Sequence, residues 1–362
     1  MYEKPLRSEF STLGFNMVIY YLLASVISTG IIFFYSLAGT IILYMSKGSI
    51  TQEEIMQVVL PNDNPLLLLI VNAIAIYAIG MPVAVFLLKK KLPSPAMNNA
   101  LFEARSSAEM FSPEGNASGT DEERFGIREL PALFFICIFA MSAGNLISQM
   151  FAAVIGKLTG IEPENASVEF LLSGNMLMTI IFVVILAPIA EELFFRKFLI
   201  GRLSHTGKWS AIFVSSMAFA LYHMNIYQLF YALFVGLILG YTYVKTGKVI
   251  YTILLHISLN FTGGMLLPYF TQGVESMDSL QEVLEAGNYA FFIADGIYLL
   301  AVFAGLVCFI IYLKKGRFHL LDERWLPDRN TVLKAYFKAP GTIVLILVCV
   351  VVSALTLSGL LL

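Results

Sequence analysis

The stretch VVILAPIAEELFFRKFLIGRL runs from Val183 to Leu203. It is long and apolar enough to enter a membrane, yet it sets two carboxylates, Glu191 and Glu192, side by side and follows them with Arg196. A charged side chain at bilayer depth costs about 2.5–3.5 kcal/mol, so it faces a partner or a wet cavity. On a helix, adjacent residues point about 100° apart, so the two glutamates cannot do the same job. Glu192 and Arg196 are spaced i,i+4 and can pair on one face, which leaves Glu191 to face a cavity as a base. Pro188, one turn earlier, has no N–H, leaves a carbonyl over and bends the helix beside the acids. The plain alternative is a helix emerging among interfacial charges, since Lys197 and Arg202 follow so soon.

The rest of the chain supports the membrane setting. Of 362 residues, 58% are hydrophobic and 13% charged, with a mean hydropathy of +0.79, whereas soluble domains carry roughly 25% charged residues. About nine apolar segments are legible, at 14–46, 65–88, 130–156, 168–203, 208–224, 226–245, 249–270, 288–313 and 340–362. The fold expected is an all-α polytopic membrane helical bundle of about eight or nine transmembrane helices. A net charge of −2 with no basic stripe gives no sign of a nucleic-acid partner. Cys137, Cys308 and Cys349 lie in apolar runs without metal-ligand spacing.

Lys and Arg collect in alternate loops, after segments two, four, six and eight. By the positive-inside rule this puts the amino terminus in the cytosol and the carboxyl terminus outside. Residues 89–129 hold a polar stretch that reads as a flexible cytosolic loop, and 271–287 an acidic loop free of Lys and Arg. Three regions follow: N-terminal segments over 1–160, a core over 165–270 and C-terminal segments over 271–362.

Two further stretches carry polar groups in apolar surroundings. In FALYHMN, Phe219 and His223 share a face, and in HISLN so do His256 and Asn260. Singly, such residues read as interhelical polar contacts worth about 0.6 kcal/mol. Depth links them. At about 1.5 Å per residue, His256 lies about 12 Å in from Lys248, Asn260 about 18 Å, His223 about 22 Å from Lys208, and Glu191 about 16 Å from Arg202. Four polar groups at one level on three helices suit hydrolysis of a carbonyl compound: a carboxylate and an imidazole to take a proton from water, an imidazole and a carboxamide to steady an oxyanion. No GxSxG elbow and no neighbouring cysteine suggests a covalent nucleophile. Glu191, His223 and His256 would also make a zinc site of the two-His, one-Glu kind, although the HExxH helix is absent, and spacing leaves metal and metal-free readings both open.

EELFFR, FALYH and HISLN, in that order, resemble the motifs of the CPBP intramembrane proteases, which include the type II CAAX prenyl endopeptidases and the Abi bacteriocin-immunity proteins. The resemblance covers roughly 165–270. It implies a conical cavity opening to the cytosol and cleavage of a peptide bond in a membrane-associated peptide or near a protein C-terminus. Glu191 and His223 would activate water, His256 and Asn260 would form the oxyanion hole, and Glu192, Arg196 and Phe219 would support them. It implies no cofactor on the favoured metal-free route and zinc on the other. Partners would be membrane lipids and a peptide substrate, lipid-modified or a bacteriocin or signal peptide, at the cell membrane. A non-catalytic immunity or scaffold protein is the competing function. A transporter would require matching broken helices in two halves, and the sequence shows one cluster.

Overall fold

The computed structural model describes residues 3–49, 51, 65–93, 127–160, 176–271, 287, 289–320 and 327–357. The polar stretch expected to be a flexible loop, over 94–126, and the acidic loop over 272–286 lie outside them. Every described element is helical: α1 Glu3–Lys47, α2 Leu66–Lys89, α3 Leu130–Thr159, α4 Met176–Thr206, α5 Lys208–Tyr222, α6 Ile226–Thr246, α7 Val249–Phe270, α8 Tyr289–Lys314, α9 Arg329–Phe337 and α10 Pro340–Leu357. Eight are long and apolar enough to cross a membrane, and the protein is a membrane protein.

The nine expected segments all appear, with two differences. The first helix begins at Glu3, because Leu6, Phe10 and Leu13 continue a buried stripe through its polar opening. The fifth, at 15 residues, is only about 22 Å long, short of the roughly 30 Å hydrocarbon core. It is buried nearly all round, with Ala211, Ile212, Val214, Ser215 and Ala218 each at 0% exposure. It forms with α6 a hairpin that dips in from one end of the bundle and returns.

That end is identifiable from contacts. Arg202 Nη1 donates to the carbonyls of Lys89, Leu92 and Pro93 at 3.2, 2.8 and 3.2 Å, so the close of α4 holds the close of α2. His205 meets Glu9 at 2.8 Å, Arg317 meets Glu129 at 2.6 Å, and Lys338 lies 3.6 Å from Glu3. The starts of α1, α3, α5, α7 and α10 therefore gather with the ends of α2, α4, α6 and α8. Among the described basic residues, only Lys47 and Lys157 stand at the other end. Close helix crossings rest on glycine. A Cβ on Gly305 of α8 would lie 2.0 Å from the Phe135 carbonyl oxygen of α3, and one on Gly14 of α1 would lie 2.2 Å from the backbone of Gly341 at the start of α10.

Candidate active site

The α4 backbone is not a plain α-helix at the acid pair. Ahead of Pro188 it is wound in the wider register: the Ala187 N–H bonds five residues back, to the Phe182 carbonyl. The next donor in that register would be Pro188, which has none, so the Val183 carbonyl is left over. Asn260 Nδ2 on α7 donates to it at 3.0 Å. A buried backbone carbonyl must find a partner, and here the partner is one of the four candidate site residues.

Glu191 and Glu192 part company as the helical spacing requires. Glu192 turns into the protein, at 0% exposure, and meets Arg196, also at 0%. Arg196 Nε lies 3.2 Å from Glu192 Oε2 without the alignment of a hydrogen bond, and the guanidinium sits 4.8 Å above the Phe219 ring. The other carboxylate oxygen of Glu192 accepts from His256 Nδ1 at 2.9 Å. Glu191 faces a cavity. Its Oε1 accepts from the Tyr77 hydroxyl of α2 at 2.9 Å, and its Oε2 lies 3.7 Å from His256 Nε2.

His223 sits where α5 ends. Met224 has φ +49°, the one positive φ outside glycine among the described residues. The turn is closed by Asn225, whose side chain accepts from the Tyr227 N–H and starts α6. A bulky residue in the left-handed region stores strain, and such strain clusters at functional sites. His223 Nδ1 lies 2.7 Å from the Phe219 carbonyl. A carbonyl only accepts, so Nδ1 carries the proton and, in the neutral ring, Nε2 keeps a lone pair. Phe219 is the common neighbour: its ring meets His223 edge-on at 4.7 Å and His256 at 5.8 Å.

Glu191, His223, His256 and Asn260 all line one cavity of 420 Å³, together with Phe219 and Tyr77. The structure thus brings together the four residues singled out from sequence, with Glu192 and Arg196 behind them. Tyr77 went unnoticed in the sequence. Yet it stands 12 residues from Lys89, about 18 Å in, at the level of Glu191, and the same depth comparison would have found it. The cavity continues from Glu191 toward the other end, past Ala73, Val183, Gln228 and Gly264, because the basic half below the acid pair is filled with packed side chains.

Residues 173–262 match the family model for type II CAAX prenyl endopeptidases of the Rce1-like kind. This segment is similar to an Rce1-like domain. It begins just ahead of α4 and ends where α7 widens, so it contains all three motifs and leaves Tyr77 of α2 outside. Searches of curated proteins and of solved structures return no match. Among the described residues, no group of three or more His, Cys, Asp and Glu side chains is arranged to hold a metal ion. His256 Nδ1 is taken by Glu192 and Glu191 Oε1 by Tyr77, which leaves His256 Nε2, His223 Nε2 and Glu191 Oε2 as the remaining donors of the two-His, one-Glu set.

Proposed function

We propose that the protein is an intramembrane endopeptidase that hydrolyses a peptide bond with water activated by Glu191 and His223. Glu191 Oε2 is the oxygen not engaged by Tyr77, and it accepts a proton from a water molecule whose other hydrogen bonds to His223 Nε2. The hydroxide oxygen bonds to the scissile carbonyl carbon, and the carbonyl oxygen becomes the oxyanion. His256 and Asn260 are its donors. That role takes a proton on His256 Nε2, with Nδ1 held 2.9 Å from the Glu192 carboxylate. Asn260 uses one N–H on Val183 and has a second for the oxyanion. When the C–N bond breaks, the proton held by Glu191 passes to the leaving amine. Preorganised donors of this kind are worth about 2.7–4 kcal/mol each in a water-poor site.

What supports this reading is the convergence of one acid, two imidazoles and a carboxamide on a single cavity within the bundle, inside the segment matched by the peptidase family. The basic end is read as cytosolic, on the charge asymmetry of the loops. Incubating the purified protein with a peptide library tests the activity. Wild-type protein cleaves some members, with or without chelator. His223→Ala and Glu191→Ala reduce cleavage by at least a hundredfold while keeping the elution profile and melting temperature of wild type. Equal rates in wild type and Glu191→Ala would remove the proposal.

A further inference from the structure

We propose that backbone carbonyls freed ahead of Pro82 and Pro268 bind the substrate peptide through its main-chain N–H groups, so that the site holds backbone rather than side chains. This rests on the peptidase reading and adds how the substrate is gripped.

The widened turn beside the acid pair is not confined to α4. In α2 the backbone takes the wider register over Ile74–Gly80, and the Met81 N–H bonds five residues back, to the Ile76 carbonyl. In α7 it does so over Thr262–Leu266, and the Leu267 N–H bonds to the Thr262 carbonyl. A proline comes next each time, Pro82 or Pro268, as Pro188 follows Ala187 in α4. The donor that would continue the register is missing, so the Tyr77 and Gly263 carbonyls are left over as the Val183 carbonyl is. Among the described residues, the side-chain hydrogen bond made to these three carbonyls is the one from Asn260 to Val183, at 3.0 Å.

Tyr77, Val183 and Gly263 all line the cavity that holds Glu191, His223, His256 and Asn260. Gly263 has no side chain, so the surface it offers there is backbone. Wide turns of this kind recur at functional sites. In membrane helices neighbouring side chains take up carbonyls freed by proline, as Asn260 does for Val183. At Tyr77 and Gly263 the acceptor is left for whatever occupies the cavity.

An extended peptide is the matching occupant. It carries an N–H at every residue but proline, and each one that loses water on entry needs an acceptor. On the peptidase reading the side chains of the cluster are committed to the reaction, Glu191 and His223 to water, His256 and Asn260 to the oxyanion. The two carbonyls supply acceptors without adding charge. Recognition through main-chain hydrogen bonds gives affinity without fixing sequence, as in strand addition at a sheet edge. Tyr77 also holds Glu191 through its hydroxyl, so one residue positions both the base and the bound chain.

Backbone-ester scanning tests this by binding, without turnover. A decapeptide is selected from a randomised library by its affinity for the Glu191→Gln protein in nanodiscs. Each amide N–H of that peptide is then replaced, one at a time, by an ester oxygen. At two positions the replacement is expected to weaken binding about tenfold, because a buried acceptor loses its donor. Pro82→Ala and Pro268→Ala, each added to Glu191→Gln, return an N–H that takes up the freed carbonyl. Each is expected to weaken the parent peptide by about the same factor and to abolish the ester effect at one of the two positions, a different one for each variant. The ester scan needs neither proline variant, so it decides the matter if one fails to fold. No binding peptide, fewer than two sensitive positions, equal loss at every position, or ester effects that persist in both folded proline variants would overturn the proposal. A peptide with the expected pattern that wild type leaves uncut would sink the peptidase reading alone. One that is cut yet insensitive to every ester would sink this proposal alone.

Discussion

Replacing Arg196 by methionine isolates the buried ion pair on which the site stands. Both Arg196 and Glu192 are at 0% exposure, and methionine keeps most of the apolar stem. Removing one partner of a fully buried pair costs about 3–5 kcal/mol, because the other charge is left in a medium that cannot solvate it. Loss of the guanidinium over Phe219, at 4.8 Å, adds up to about 2 kcal/mol in a desolvated setting. Against this, His256 Nδ1 still donates to Glu192 at 2.9 Å, which holds the total near the lower figure, about 3 kcal/mol. That is roughly a hundredfold or more in the folded-to-unfolded ratio. The assay is equilibrium unfolding in mixed micelles titrated with a denaturing detergent. Glu192→Gln made in the same chain keeps an acceptor for His256 and removes the stranded charge. The double variant is therefore expected to recover at least about 1 kcal/mol relative to Arg196→Met, a coupling visible in a double-mutant cycle. Wild-type stability in Arg196→Met, or a double variant no better than the single, would refute the claim that Glu192 is buried, charged and balanced by this arginine.

Other consequences can be checked on the same preparation. Tyr77→Phe removes one hydrogen bond to the Glu191 carboxylate, of a class worth about 1.5–3 kcal/mol; peptide cleavage is expected to fall about tenfold with the melting temperature unchanged. Arg202→Gln gives up the clamp on three carbonyls at the end of α2; the expected loss is about 2 kcal/mol, with faster amide exchange over residues 88–92. Gly305→Ala forces a methyl toward a carbonyl oxygen at 2.0 Å and is expected to cost about 1–3 kcal/mol by overpacking. Gly296→Ala on the same helix, where a Cβ meets nothing within 4 Å, is expected to leave the melting temperature alone.

Much of the architecture could be read from the chain because membrane helices announce themselves by length and hydropathy. The pairing of Glu192 with Arg196 was legible for a similar reason, since one turn of helix fixes it. Contacts between helices were not. Tyr77 and Glu191 are 114 positions apart, Glu192 and His256 64, and Asn260 and Val183 77, and no local spacing encodes such meetings. The leftover carbonyl at Pro188 was foreseeable, but not that Asn260 would answer it. Depth along each helix was also readable, and it put Glu191, His223, His256 and Asn260 at one level. It could not say which side of that level would be filled. That depends on how Phe195, Leu199, Leu203 and Leu239 interdigitate across helices, so the direction of the cavity came only with the packing.

The central claim, hydrolysis driven by the Glu191 carboxylate, is tested most directly by cleavage in ¹⁸O-labelled water, comparing wild type with Glu191→Gln. The account predicts product peptides carrying one ¹⁸O in the new carboxylate from wild type, and none above background from Glu191→Gln folded to the same stability. Labelled product formed at the wild-type rate by Glu191→Gln would contradict it.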